Sequence, residues 1–335
     1  MAVGFIAVRL VLSQSVDSVS RMSLLLFGDV NLGRSLGQEI LNGNIDYPFK
    51  NVKEMLRRTD AVFVNLESQL SDQHGETESR ESNYVFCGPP QGATALKRAG
   101  ITVVSTANNH AFDYSLKGLQ ETLRYLDSAG VRHVGTSADS VRFFSPTVVR
   151  RHGIRIGFLA YTEFVNGEGG WEGRISLFDS TRARNEIRRL RRDVDFVVVS
   201  FHGGSEYGEQ PRASTLRRMR SLIGAGADVV VGHHPHVPQG VEVCGRKLIF
   251  YSLGNFVFNQ ANEWGKRSFG VELRLRKSGR ETAIESVRLI PIRPFKQPSV
   301  GLPPEEFEQL VQRLKKTSTA DIVCRQDSIF VTLPH

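Results

Sequence analysis

The sequence predicts an α/β protein, and two observations support this prediction. Short apolar runs rich in β-branched residues alternate with stretches of helical periodicity over most of the chain, which is the pattern of β-α-β units. Several helical stretches end at a glycine, such as Gly100, Gly130 and Gly226, where a helix is expected to stop. The alternation alone predicts one doubly wound sheet with helices on both faces.

Seven apolar runs are candidate strands, and helical stretches lie between them. The strands are predicted at residues 24–27, 61–65, 101–105, 155–160, 196–201, 229–232 and 248–252, and the helices at residues 48–58, 90–99, 115–129, 181–192 and 215–224. In the tail, residues 270–276 and 281–292 alternate like an antiparallel pair, and residues 303–316 form an amphipathic helix. We therefore divide the chain into an N-terminal extension (1–22), a main α/β domain (23–295), and a C-terminal helix and tail (296–335) that pack on the same body.

Composition excludes several classes of protein. The chain has 335 residues, of which 40% are hydrophobic, enough for a substantial core. Its three cysteines, Cys87, Cys244 and Cys324, are far apart and lack C-x-x-C spacing, so we expect neither a disulfide framework nor a thiolate zinc site. Any metal ligands must therefore be His, Asp, Asn and Glu side chains.

The chain is basic, with a formal net charge of +8 at pH 7, which favours an acidic small molecule or polymer as substrate. Much of the excess lies in the arginine-rich run 182–192, whose simplest explanation is a solvated helix face. No recognition motif or interleaved aromatic residues accompany this charge, so we expect no nucleic-acid partner.

The first 22 residues do not form a convincing signal or anchor. The apolar run 3–12 is short, is interrupted by Arg9 and has no basic residues before it. A bilayer span needs about 20 apolar residues, and no other segment qualifies. Met22 directly precedes the first predicted strand and is an alternative start. We expect a cytoplasmic location, with association to the envelope or to a membrane complex as the alternative.

Segment 232–236, Gly-His-His-Pro-His, places three of the nine histidines at the end of the sixth predicted strand. In an extended segment residues i and i+2 point the same way, so His234 and His236 should aim at one centre while His233 faces elsewhere. His233 is therefore predicted to be the most replaceable of the three. Neutral imidazole is a common ligand of zinc, manganese and iron. An isolated H-x-H also occurs in polar loops, so its interpretation depends on the rest of the chain.

Polar residues that can bind metals follow six of the seven predicted strands. Because the carboxyl ends of strands in an α/β sheet share one crevice, these six loops are expected to converge. Carboxylates, an amide oxygen and imidazoles are the donors that a dinuclear site needs. The predicted metal ligands are Asp29, Glu67, Asn109, His202, His234 and His236. His110, adjacent to a ligand, is predicted to protonate the leaving group. The residues predicted to bind substrate or to orient the ligands are Asn31, Arg34, Asn65, Asn108, Asp113, Glu206 and Asn255.

Each of these residues has a simpler explanation when it is taken alone. Asp29 could cap a helix, Asn109 could form a turn, and His202 could be a hydrogen-bonded core histidine. Arg34 could bind a phosphate or carboxylate in a bidentate manner or form a structural salt bridge. Their combined order at strand ends favours a site for two divalent metal ions, manganese, zinc or iron, that lower the pKa of a bridging water.

The motif series resembles two nested families. Its order is similar to that of calcineurin-like metallophosphoesterases, with the motifs Gly28-Asp29, Asn65-Leu66-Glu67, Asn108-Asn109-His110, His202 and His234-Pro235-His236. More closely, the chain from about residue 23 to 258 resembles the CapA-type poly-γ-glutamate capsule biosynthesis family. The motifs that carry this resemblance are residues 28–34, 65–67, 107–110 with Asp113, 202–204 with Glu206-Tyr207, 232–236 and 251–256.

The resemblance implies a four-layer α/β/β/α sandwich of the metallo-dependent phosphatase type, with two central sheets. It places the six predicted ligands on metal-binding positions and His110 on the general-acid position. Asn31 stands where the phosphoesterases carry the histidine of D-x-H, and Glu67 where they carry an aspartate. The implied function is a metal-dependent hydrolase for a phosphoester or γ-glutamyl amide bond. The alternatives are a non-catalytic component of a polyglutamate synthesis or export complex, or a tailoring enzyme for a small metabolite.

Overall fold

A computed structural model describes residues 19–80, 82–139, 145–326 and 328–334. Within them the strands are β1 (Ser20–Val30), β2 (Ala61–Leu66), β3 (Gln69–Leu70), β4 (Cys87–Gly88), β5 (Val103–Ser105), β6 (Arg132–Val134), β7 (Thr147–Arg151), β8 (Ile154–Thr162), β9 (Phe196–His202), β10 (Val229–His233), β11 (Val241–Cys244), β12 (Lys247–Phe250), β13 (Asn255–Val257), β14 (Ser268–Ser278), β15 (Glu281–Arg293), β16 (Ser299–Val300), β17 (Ile322–Arg325) and β18 (Ser328–Val331). The helices are α1 (Arg34–Leu41), α2 (Lys53–Arg57), α3 (Gly92–Ala99), α4 (Ser115–Ala129), α5 (Ser180–Leu190), α6 (Ala213–Ala225) and α7 (Pro304–Thr317).

Two large sheets organise the chain. The first has the strand order β17-β18-β15-β14-β1-β2-β5-β6, with β13 beside β1 and β16 beside β15. The second has the order β11-β12-β10-β9-β8-β7, in which β8, β9, β10 and β12 are parallel and the edge strands β7 and β11 are antiparallel. Because β1, β2 and β5 are also parallel, the strand ends of each sheet gather their loops at one edge.

The sheets are the two inner layers of a four-layer sandwich. Their facing sides share one core, in which the rings of Phe63 and Phe158 stack with centroids 5.6 Å apart. Helices α1 to α4 cover the other face of the first sheet, and α5 and α6 cover that of the second. The α/β/β/α prediction is confirmed, and the single doubly wound sheet is wrong. The alternation of strands and helices in the sequence does not indicate that the chain leaves the first sheet after β6 and forms a second sheet.

Most predicted elements exist with shifted ends. All seven predicted apolar runs overlap strands, but the predicted helix 48–58 is split into a 3₁₀ turn at Tyr47–Phe49 and helix α2. Strand β1 begins at Ser20, and Met22, which is 2% exposed, pairs with β14. Residues 20–22, assigned to the extension, are therefore part of the sheet. The apolar run 3–12 lies outside the described residues.

The C-terminal segment packs on both sheets. Leu310 and Leu314 of α7 are fully buried in the core that the sheets share, and β18 pairs with β15. Of the helices in the described ranges, none has both the length and the apolar character needed to cross a bilayer. The tail therefore closes one edge of the sandwich.

Candidate metal centre

Two carboxylates lie at the centre of the site. Asp29 lies near the end of β1 and Glu67 directly follows β2, and both are fully buried. Asn65 pairs in register with Asp29 across the two parallel strands. Its Nδ2 donates to Asp29 Oδ1 at 2.8 Å and to Glu67 Oε2 at 3.5 Å. Parallel pairing of two strand ends therefore places both carboxylates side by side.

The two carboxyl groups have opposite protonation tendencies. Burial raises the pKa of Glu67 well above its ordinary value, and the charge of Asp29 raises it further. Burial would also raise the pKa of Asp29, but hydrogen bonds with His233 and His236 hold it well below its ordinary value. A cation between the two groups would favour the ionised form of both.

His202 and Asn109 bring a nitrogen and an oxygen donor together. His202 ends β9 and is fully buried, and its Nε2 lies 2.8 Å from Asn109 Oδ1. Its Nδ1 lies 3.2 Å from Asn65 Nδ2, which can only donate, so the network assigns the ring proton to Nε2. Burial lowers the pKa of His202 well below its ordinary value, and the charge of His234 lowers it further. The ring is therefore neutral, the form that binds metals.

His234 and His236 reach the site from a left-handed turn, not from an extended segment. Their φ angles are 93° and 59°. His236 Nδ1 lies 2.9 Å from Asn255 Oδ1, and its Nε2 lies 3.5 Å from Glu67 Oε1. The ring centroid of His234 lies 5.1 Å from that of His202. We predicted that the two rings aim at one centre because the segment is extended, and the backbone at His234 and His236 is not extended.

The prediction that His233 faces away from the site is wrong. His233 is the last residue of β10, is fully buried, and places Nδ1 3.3 Å from Asp29 Oδ1. His236 Nδ1 approaches the other oxygen, Oδ2, at 3.3 Å. The strand ends at His233, so the i and i+2 rule does not apply beyond it, and Asp29 is contacted from both sides. His233 therefore contacts this carboxylate, and we expect that replacing it is costly, which the mutation described in the Discussion tests.

The donor atoms fit a divalent metal ion. Glu67 Oε1 and His234 Nδ1 are buried and have no hydrogen-bond partner in the part of the chain that the structure describes. Such an unpaired atom costs about 1–3 kcal/mol, which a bound cation would remove. Burial, followed by the charge of His236, lowers the pKa of His234 to about 3, so this ring is a neutral donor. Ligand atoms lie within 4.8 Å of one another in two groups, Asp29, Glu67 and His202, and Glu67, His234 and His236.

His110 lies at the edge of these donors and is held on several sides. Its Nδ1 lies 2.7 Å from Asp113 Oδ2 and 3.4 Å from Asn166 Nδ2. The ring of Phe86 stacks on the imidazole with centroids 3.9 Å apart. His110 Nε2 is 4.0 Å from Glu67 Oε1. The ring is therefore fixed with Nε2 towards the carboxylate.

The structure also brings Asn108 next to these groups. Its Nδ2 donates to the carbonyl of Leu66 at 2.8 Å, and its Oδ1 accepts from the backbone N–H of His110 at 3.0 Å. This side chain therefore ties the loop after β5 to the end of β2. Asn65 and Asn255 likewise contact predicted ligands, Asp29 and His236.

Three predicted residues are not among these donors. Asn31 Oδ1 accepts from the N–H of Gly33 at 2.8 Å and stabilises its own loop. Arg34 donates to the carbonyl of Asn83, and its guanidinium lies 4.6 Å from the ring centroid of Phe86. The salt bridge considered for Arg34 is not formed with any described residue. Glu206 is exposed and lines the cleft above the site.

An open cleft of about 860 Å³ leads to His110 and His234. Most of its lining residues were not predicted, and three of them, Phe164, Asn166 and Arg212, matter for the site. Phe164 contacts the ring of His234 edge-on at 5.0 Å, and the N–H of Asn166 donates to the carbonyl of Asn109 at 2.8 Å. Arg212 is the third. The first two follow β8, the one predicted strand whose loop was not considered, so the same strand-end rule could have found them.

The fold and the buried donors define a class of protein, a four-layer α/β/β/α protein with a candidate divalent-metal site at its strand ends. The chain belongs to the bacterial capsule synthesis protein family PGA_cap, whose family model matches residues 23–260. The predicted recognition of a capsule biosynthesis family is therefore confirmed.

Two curated relatives come from Bacillus. The capsule biosynthesis protein CapA of Bacillus anthracis is 31% identical over 275 residues, which cover 80% of this chain and 66% of that protein. The PGA biosynthesis protein CapA of Bacillus subtilis is 31% identical over 266 residues, which cover 77% of this chain and 69% of that protein. This chain thus spans about two thirds of the length of these relatives. Among solved structures, the calcineurin-like phosphoesterase YfkN from Bacillus subtilis aligns with 89% of this chain and 98% of that chain, at 13% identity and a TM-score of 0.47.

Proposed function

We propose that this protein is a hydrolase that uses two divalent metal ions to cleave a phosphoester or γ-glutamyl amide bond of an acidic substrate in capsule or poly-γ-glutamate metabolism. The observation that carries this proposal is that Glu67 belongs to both groups of donor atoms. A carboxylate common to two adjacent ligand groups is what a dinuclear site requires. The family, the names of the Bacillus relatives and the net charge of +8 support an acidic substrate.

Two groups of residues would hold the ions, namely those that ligate them and those that orient the ligands. Those that would ligate are Asp29, Glu67, Asn109, His202, His234 and His236. When bound, divalent ions lower the pKa of a bound water and stabilise negative charge on the reacting group. Asn65 and His233 hold Asp29, and Asn255 holds His236, through the contacts described above. The ligands are therefore oriented before any ion binds.

His110 would supply the proton that the leaving group needs. Asp113 accepts a hydrogen bond from Nδ1, which leaves Nε2 free to face the donors and the cleft. In the charged imidazole both nitrogens carry protons. A water molecule bonds through its oxygen to the phosphorus or carbonyl carbon and releases a proton to solvent, and the Nε2 proton passes to the leaving oxygen or nitrogen as its bond to that atom breaks. The ring is then neutral and keeps its bond to Asp113, which acts as a positioning residue.

A non-catalytic role in a polyglutamate synthesis or export complex is the second candidate, and Asn31 favours it. The D-x-H histidine of the phosphoesterases would be an additional imidazole ligand. In this chain Asn31 Oδ1 is already used by the N–H of Gly33, at 2.8 Å. One ion would then have fewer nitrogen ligands, which suits binding or structural support more than rapid turnover.

Metal content and turnover, measured together, test the two candidates. The protein is loaded with manganese, zinc or iron and freed of excess metal, and phosphoesters and γ-glutamyl peptides are then screened as substrates. The variants are His110→Ala, His234→Ala and the control His74→Asn, an exposed histidine that does not line the cleft. We expect His234→Ala to lose one of the two ions and its turnover, and His110→Ala to keep both ions while turnover falls about 10²–10⁴-fold.

The control should equal the wild type in both measurements. Stoichiometric metal without turnover of any probe would support the second candidate. A wild-type protein that retains no metal would contradict the proposal, as would turnover that survives in His234→Ala.

A further inference from the structure

The cleft above the candidate metal centre contains a cation without a partner. Arg212 lines this cleft with His110 and His234, and it is the only lysine or arginine among the described residues that do so. Its guanidinium makes no ion pair or hydrogen bond with any described part of the chain. An arginine left free at the entrance to a reaction centre is available to a ligand.

Arg212 also marks the start of helix α6. It is the N-cap residue, and no side chain caps the helix. The first hydrogen bond within the helix runs from the N–H of Leu216 to the carbonyl of Arg212, at 3.0 Å. The N–H groups of residues 213–215 precede this bond and point out of the helix end. Such an end attracts anions through these donors and the helix dipole.

Thr215 is an independent indication of a ligand at this place. Its side chain is 3% exposed, and its Oγ1 has no hydrogen-bond partner among the described residues. A β-carbon placed on Gly204 would lie 3.7 Å from this oxygen, and Gly204 itself lines the cleft. Gly204 has φ 107°, a conformation that favours glycine, so residue 204 itself places no side chain over Thr215, which lies directly behind the cleft wall.

We propose that this corner of the cleft binds a second anionic group of the substrate, a carboxylate or phosphate that is not itself cleaved, with Arg212 as the specificity-determining residue. The guanidinium offers two parallel N–H donors to the anion, and the end of α6 with the hydroxyl of Thr215 offers more. Glu168 and Glu206 also line the cleft and are exposed. They disfavour a run of negative charges, so the corner accepts one compact anionic group.

Anion binding to the metal-free protein tests this site without requiring turnover. Chelator-treated protein is titrated by calorimetry with inorganic phosphate and with glutarate, and neutral glutaramide is the negative probe. The variants are Arg212→Gln, Arg212→Lys and the matched control Arg217→Gln, an exposed arginine of α6 outside the cleft. We expect Arg212→Gln to weaken anion binding about tenfold or more, with Arg212→Lys intermediate.

The control Arg217→Gln should bind as the wild type does, and the tighter of the two anions identifies the preferred group. Equal binding by wild type and Arg212→Gln would overturn the proposal, as would equal loss in the Arg212 and Arg217 variants or no binding by the wild type.

The anion site binds a second charged group of the substrate only if the proposed hydrolase function holds, so this inference rests on that function. Experiments can nevertheless refute the anion site and the hydrolase function separately. A protein that binds anions through Arg212 but retains no metal loses the hydrolase function and keeps the anion site. If the metal-loaded protein is active, L-γ-glutamyl-p-nitroanilide and 4-aminobutyryl-p-nitroanilide form a pair that differs in one carboxylate. Arg212→Gln should then raise KM about tenfold for the first compound and leave KM for the second unchanged.

Discussion

Replacing His234 by glycine and by alanine should change stability differently and metal binding identically. His234 has φ 93°, where a β-carbon is strained. Both replacements remove the imidazole, so neither variant can complete the group of Glu67, His234 and His236. Only glycine also removes the β-carbon. The comparison therefore isolates the backbone strain that holds the ligand loop.

The magnitude follows from two opposing effects. A non-glycine residue in the left-handed region costs about 1–3 kcal/mol. Glycine loses more backbone freedom on folding, which costs about 0.5–1 kcal/mol relative to alanine. The packing of the lost ring against Phe164, at 5.0 Å between centroids, is removed in both variants and cancels. We expect the glycine variant to be more stable than the alanine variant by about 1 kcal/mol.

Urea unfolding in the presence of a chelator measures this difference in the free energy of unfolding. A matched pair at His202, which lies in β9 and does not have a positive φ, is the control. There the order should reverse, with alanine more stable than glycine. If His234→Ala is as stable as His234→Gly, the turn is not strained, and the geometric account of the ligand loop is wrong.

Three further predictions concern buried groups. Burial raises the pKa of Glu186 to about 7, although the hydroxyl of Tyr161 donates to it at 2.8 Å. Because this pKa exceeds the unfolded value of 4.5, the contribution of Glu186 to stability is fully present below pH 4.5 and is lost as the pH rises through 7. In urea unfolding Glu186→Gln should be more stable than wild type at pH 8 by about 1–2 kcal/mol, a value reduced for solvent exposure. Near pH 4 the two proteins should be equally stable. A difference in stability that is the same at both pH values would contradict the raised pKa of Glu186. His233→Ala should lower the free energy of unfolding by about 2–4 kcal/mol, and an effect below about 0.5 kcal/mol would restore the view that it is replaceable. Gly232→Ala should lower stability by about 3 kcal/mol in thermal unfolding, because its β-carbon would overlap the carbonyl oxygen of Tyr251, and a wild-type melting temperature would refute that overlap.

Strand positions could be predicted from the sequence because a buried strand is a continuous apolar run, as in residues 229–231. The sheet that each strand joins could not be predicted this way, since β2 and β9 have similar apolar runs and enter different sheets. Helix α1 was not predicted. It begins at Arg34, with φ 56°, after a glycine N-cap that makes no side-chain capping bond, so it lacks the usual start signal.

The donor residues could be predicted because each lies next to a recognisable strand end. The geometry of the His-His-Pro-His turn could not, because the left-handed φ angles at His234 and His236 depend on the site around them. Phe164 follows a strand end and could have been found by the same rule, but Arg212 carried no local signal of a role. They reach the cleft only because the loop after β8 and the start of α6 fold over the same strand ends.

Metal stoichiometry in single-site variants tests the central claim, that Glu67 is shared by two metal ions. The protein and its variants are loaded with the same metal, freed of excess metal and analysed for ions bound per chain. We predict about two ions in the wild type, one in His202→Ala, one in His234→Ala and none in Glu67→Ala. A Glu67→Ala variant that keeps one or both ions would contradict the claim.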